Sequence, residues 1–139
     1  MRKASTCLFL IILIACEKDI SINDKIDIST DRETYMNLMD IVIRITNNSE
    51  NDLVYEVCND KIPYGIEKYA DENWGLIYSP VCNAFQSYCC KALIPGQEYL
   101  DTIKSNWLDA GKYRLVYSFE VNNSANAFYS NTFKIGSNK

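Results

Sequence analysis

The stretch Asp109-Ala110-Gly111-Lys112-Tyr113-Arg114-Leu115-Val116-Tyr117-Ser118-Phe119-Glu120-Val121 decides how this chain folds. Tyr113, Leu115, Tyr117, Phe119 and Val121 recur at every second position, which places them on one face of an extended strand. The same alternation appears upstream, where Ile41, Ile43 and Ile45 are interleaved with Val42, Arg44 and Thr46. Asn47-Asn48-Ser49-Glu50-Asn51-Asp52 then gives a dense turn signal. Ile26 and Ile28 suggest a first edge strand, with Tyr35-Met36-Asn37-Leu38-Met39 as its bend or second half. Leu53-Val54-Tyr55-Glu56-Val57-Cys58 reads as a further strand.

Tyr64 to Tyr69 and Trp74 to Tyr78 flank Ala70-Asp71-Glu72-Asn73 and read as a hairpin. A loop-rich stretch from Ser79 to Gly96 ends in the turn dipeptide Pro95-Gly96. Glu98 to Ile103 resumes the strand pattern, and Phe128 to Ile135 closes the chain with Tyr129, Asn131, Phe133 and Ile135 on one face. No segment shows a helical period. Short strands separated by turn signals imply an all-β sandwich of seven to eight strands.

The N-terminus carries different information. Arg2 and Lys3 precede the apolar run Leu8 to Ala15, far shorter than the roughly 20 residues needed to span a bilayer. It reads as a signal-peptide core. The run ends in Leu13-Ile14-Ala15-Cys16, which resembles the lipobox of bacterial lipoproteins. The resemblance implies that Cys16 is acylated and that cleavage falls before it. The expected division is residues 1–15 as signal peptide, 16–24 as lipidated tether and 25–139 as the sandwich domain. Such a chain sits in the bacterial cell envelope, held by several acyl chains on an outer-membrane leaflet that faces the periplasm or the cell surface. Glu17, Lys18 and Asp19 resemble a short charged export signal, and a solvated tether would look the same.

Asp109-x-Gly111-x-Tyr113 opens its strand as the tyrosine corner of immunoglobulin-like sandwiches does, with the phenol bonding back to nearby backbone. Asn47-Asn48-Ser49, Trp74, Pro95-Gly96, Gly111-Lys112-Tyr113-Arg114-Leu115 and Ser130-Asn131-Thr132-Phe133 follow in an order that resembles the bacterial immunoglobulin-like domains of envelope lipoproteins. They also resemble the related fold of the Bacillus-type intracellular proteinase inhibitor. Together these resemblances imply an antiparallel immunoglobulin-like sandwich over most of residues 26–135. Leu115 occupies the position where an antibody domain has its second core cysteine, so the inter-sheet disulfide is missing.

Net charge is −4, and it becomes −6 once Arg2 and Lys3 leave with the leader. An acidic chain without a Lys/Arg cluster is a poor match for nucleic acid. The absence of histidine removes Ser-His-Asp and Cys-His nucleophile systems and the commonest ligand of catalytic zinc. Asp71, Glu72, Asp101 and Asp109 read as solvated charges and turn formers. No cofactor or metal motif is present, and a non-enzymatic binding or accessory module is expected.

With Cys7 removed and Cys16 acylated, Cys58, Cys82, Cys89 and Cys90 remain. Four cysteines in an oxidising compartment allow three connectivities. Cys58 with Cys82 is favoured, because both lie beside the predicted hairpin and their bond clamps its base. That pairing leaves Cys89 with Cys90, a strained vicinal pair suited to a thiol-redox switch. Crossed pairing of Cys58 with Cys89 and Cys82 with Cys90 makes all four plain staples. A zinc site built from the four thiolates ranks last. The candidate contact surface is the Ser79 to Gly96 loop, with Phe85, Tyr88 and Trp107 as candidate binding residues for a protein or carbohydrate ligand. Trp74, Tyr64 and Tyr78 fit either such a platform or the core. Proteinase inhibition and thiol-redox chemistry at Cys89 and Cys90 are the alternative functions. Asp101-Thr102-Ile103 also resembles a short bacterial O-glycosylation motif.

Overall fold

A computed structural model describes residues 25–82 and 90–137 of the chain. They form two β-sheets. The first is three-stranded, in the order β1 (Ile26–Thr30), β3 (Asp40–Asn47), β8 (Glu98–Lys104). The second has eight strands built around β9 (Gly111–Val121). One edge of β9 pairs antiparallel with β5 (Tyr64–Ala70), which continues to β6 (Asn73–Tyr78). A single rung, Val54 to Glu120, also joins β9 to β4 (Leu53–Tyr55), which pairs in turn with β7 (Lys91–Leu93). The other edge pairs with β10 (Ser124–Tyr129) and β11 (Phe133–Ile135), and β2 (Thr34–Tyr35) runs parallel to β11. This is the all-β sandwich that the alternation implies.

The period-two pattern accounts for the core. Tyr113, Leu115, Tyr117, Phe119 and Val121 are all buried, facing Ile41, Ile43 and Ile45 of the smaller sheet. At about 1.5–3 kcal/mol per fully buried aliphatic or phenylalanine side chain, these positions supply a substantial share of the driving force. The Tyr113 hydroxyl donates to the Asp109 carbonyl at 2.7 Å, closing the loop that leads into β9. Gly111 makes room for this: a Cβ there would lie 2.9 Å from Lys68 Cε and 3.3 Å from the Tyr113 ring.

Asn47 supplies the second knot. It is fully buried, and its amide nitrogen donates to the carbonyls of Asn51 and Leu93. Its Oδ1 accepts from the Ser49 backbone and hydroxyl. The adjoining turn places Gly96 at φ +78°, with Gln97 N–H donating to Ile94 C=O. That is the left-handed position glycine fills after proline in a type II turn.

Four expectations change. Among the described residues, eleven strand segments replace seven to eight, because β2, β4, β7 and β11 are pieces of two or three residues. The strand expected to reach Cys58 ends at Tyr55. Asn59 and Asp60, both at positive φ, turn the chain so that Cys58 and Lys61 bridge. The bend expected over residues 35–39 is present, with Leu38 at positive φ and Met39 N–H donating to the Met36 carbonyl, while Tyr35 at its start belongs to the short strand β2, is fully buried and donates its hydroxyl to Asp31. Part of the expected 79–96 loop is strand β7. Finally, Tyr129 and Asn131 do not share a face with Phe133 and Ile135. Tyr129 pairs with Val116 and Phe133 with Tyr113, so residues 130–132 stand opposite only 114 and 115. That one-residue bulge reverses the facing of side chains beyond it. Ser130 fills the gap, its hydroxyl accepting from Leu115 N–H at 2.9 Å.

Replacing Tyr113 by Phe is expected to cost about 1 kcal/mol, the net value of one hydrogen bond, with the fold kept; urea denaturation checks it. Burial, with neighbouring acidic groups, pushes the Tyr35 and Tyr64 phenols up to about 12, and it raises Tyr117 as well. Unfolded phenols ionise near pH 10. Stability is therefore full below that value and is lost as pH climbs toward 12, with a late share of tyrosinate absorbance appearing only on unfolding.

Candidate binding surface

The outward face of the larger sheet gathers side chains by strand register. One cross-strand row reads Thr34, Lys134, Lys112, Tyr69 and Trp74, each paired with the next across β2, β11, β9, β5 and β6. The Tyr69 and Trp74 rings pack at 5.2 Å between centroids. The Lys112 ammonium lies 5.1 Å from the Tyr69 ring centre and 5.8 Å from that of Trp74. The neighbouring row sets Leu76, Glu67 and Arg114 side by side.

Arg114 is sandwiched between two rings, with its guanidinium carbon 4.4 Å from the Trp74 centroid and 4.0 Å from that of Tyr129. Its Nε donates to Glu67 at 2.6 Å. A planar, permanently charged guanidinium stacks in this way and lysine does not. Next to the sandwich, Leu76 and Val116 close over Gly65, where a Cβ would meet both tips at 2.8 Å. Tyr69, Leu76, Ile77 and Tyr129 remain exposed beside them. Glu67 neutralises Arg114, whereas Lys112 and Lys134 have no carboxylate within ion-pair distance among the described residues. The face therefore offers ring surfaces and two unmatched cations on a rigid sheet.

Apart from Trp74, the residues singled out by sequence fall elsewhere. Cys58 and Cys82 form a disulfide, with Cα atoms 5.2 Å apart at the base of the β5–β6 hairpin. This excludes the crossed pairing and the four-thiolate zinc site. Cys90 is exposed just before β7. Cys16, Phe85, Tyr88 and Cys89 lie outside the described residues. Trp107 is 46% exposed, and its ring packs on Tyr78 at 5.2 Å. Tyr78 contacts Tyr64, which contacts Tyr117, so these aromatics run from the surface into the core. Asp109 and Gly111 stand with Tyr113 at the start of β9, as described above. Asp71 and Glu72 make the exposed hairpin tip at positive φ.

Asp101 is not a solvated charge. It lies on the core side of β8, ion-paired to Lys61 from outside. Its Oδ2 and the Tyr117 hydroxyl are buried with no hydrogen-bond partner among the described residues. Alternation required Asp101 to point inward, since Ile103 and Tyr99 share its parity. The rule that carboxylates stay wet hid this. Arg114, Glu67, Lys112, Lys134 and Tyr129 also escaped the sequence reading. Their even and odd placement on each strand was available, but the register that joins them was not.

Replacing both Cys58 and Cys82 by Ala is expected to cost about 3.5 kcal/mol, from the chain-entropy value for a loop of ~25 residues. Urea midpoints of the two oxidised proteins measure it. Faster amide exchange confined first to β5 and β6 is the accompanying sign.

A search of curated proteins finds no match. Among solved structures, the chain is similar to the sporulation control protein Spo0M of Bacillus subtilis, at 9% identity over 82% of this chain and 49% of that one, with a TM-score of 0.46. It is also similar to the alkylpurine DNA glycosylase AlkC of Pseudomonas fluorescens bound to DNA containing an abasic site analog. There the identity is 8% over 81% of this chain and 31% of that one, with a TM-score of 0.37. The chain spans about half the length of the first and a third of the second, and likeness at this level says nothing of function. The family model for the bacterial Ig-like domain matches residues 23–132, most of the chain, with β1 to β10 inside the match. The protein belongs to the bacterial Ig-like domain family.

Proposed function

We propose that this protein is a lipid-anchored component of the bacterial cell envelope whose Ig-like domain acts as a non-enzymatic binding or accessory module. The observation that carries the binding role is the outward sheet face, where Trp74, Arg114 and Tyr129 are stacked and exposed rings adjoin unmatched lysines. Aromatic side chains provide contact area at small entropic cost, and strands hold them in fixed geometry. The side-chain inventory supports the absence of catalysis, since a chain without histidine has few ways to activate a nucleophile near neutral pH.

The anchor rests on Leu13-Ile14-Ala15-Cys16 behind a short basic and apolar leader. Acylation at Cys16 followed by cleavage gives a tether ending where β1 begins, and two or more acyl chains keep the domain on its membrane. Labelled palmitate is expected to enter the wild-type chain in the membrane fraction and to be absent from a Cys16→Ser variant, which becomes soluble. The soluble variant is then expected to bind delipidated envelope material. Label retained in Cys16→Ser overturns the anchor, and failure to bind the envelope overturns the binding role.

A further inference from the structure

We infer that the row from Trp74 to Thr34 binds an acidic polysaccharide, a chain of sugar units bearing carboxylate groups. The inference rests on reading the domain as a binding module and names the ligand class. The row crosses five strands, four steps of about 4.8 Å, and so spans about 19 Å. One end is aromatic, with Tyr69 and Trp74 in contact, and the other is cationic, with Lys112 and Lys134 paired across β9 and β11. Sugar rings present apolar C–H faces that pack on aromatic rings. Ring carboxylates accept charge-assisted hydrogen bonds from ammonium groups.

Charge selects the acidic class. The chain is acidic overall, yet these two lysines stand on neighbouring strands without a carboxylate partner among the described residues. The aromatic rings hold the Lys112 ammonium in place, so little of its freedom is left to lose on binding. Shape selects an extended polymer. A peptide adding to a sheet uses the free backbone of an edge strand, whereas this row lies across the sheet face, where backbone groups are already paired. A broad anionic bilayer is disfavoured by exposed carboxylates at both ends, Glu33 beside Thr34 and Asp71 with Glu72 beside the Trp74 hairpin. A single narrow chain fits between them.

Calorimetric titration of the exported Cys16→Ser chain with alginate oligosaccharides tests the assignment, with maltooligosaccharides of equal length and a polyglutamate peptide as comparisons. Alginate is expected to bind, more weakly as salt rises. A doubly substituted Lys112→Gln, Lys134→Gln variant is expected to bind roughly tenfold more weakly with an unchanged unfolding midpoint. Polyglutamate binding as tight as alginate, equal alginate binding by the double variant, or no alginate binding overturns the acidic-polysaccharide assignment. Retention on envelope material without alginate binding overturns this inference and leaves the binding module standing. Retention on neither overturns both.

Discussion

One strand must satisfy partners on both edges and a core on one face at once, and the rest of the molecule follows from that constraint. β9 carries hydrogen bonds to β5 on one side and to β10 and β11 on the other. Its inward side chains are buried throughout. Two such demands leave only its outward positions open to sequence choice, and those positions carry Lys112, Arg114, Val116, Ser118 and Glu120. Core and candidate binding face are therefore the two sides of a single strand. The Tyr113 to Asp109 hydrogen bond and the room left at Gly111 fix where that strand begins.

Much of this was legible in the residues. Period-two patterning placed β3 and β9 with the correct faces, because a half-buried strand must alternate. The β5–β6 hairpin was readable from its polar tip, and the Cys58–Cys82 bond followed from that hairpin. Other features depend on long-range register. The bulge at residues 130–132 reverses a face by one residue, and no local pattern announces it. Asn47 and Ser49 looked like solvated turn residues, yet they are buried because their polar atoms bond to one another and to the Leu93 carbonyl. The cross-strand row of Trp74, Tyr69, Lys112 and Lys134 comes from four separate strands, so it exists only once the pairing is known.

Two ion pairs, one on each side of the larger sheet, have a mostly covered member and differ in what they accomplish. Arg114 and Glu67 are both mostly covered, with side chains 23% and 16% exposed, and rings flank the guanidinium. Desolvation offsets much of the attraction in such a pair, so its main effect is geometric: it fixes Trp74 and Tyr129 relative to each other. Lys61 instead reaches in from solvent to Asp101, which stands among the Tyr64, Tyr99 and Tyr117 phenols and helps to raise the Tyr117 phenol above its ordinary value. A carboxylate on the core side of a sheet is tolerable only with that cation, which links the segment before β5 to the smaller sheet.

The disulfide also depends on a local structure that forms before it. Cys58 and Cys82 are 24 residues apart in sequence, yet their Cα atoms stand 5.2 Å apart because β5 and β6 have folded back on each other. A two-residue turn lets that hairpin close on the microsecond scale, whereas thiol oxidation takes seconds or longer. The hairpin therefore positions the sulfurs before they join, and oxidation records a pairing that the backbone has already made. The bond acts as a latch, converting a rapidly reversible local structure at the edge of the larger sheet into a permanent one.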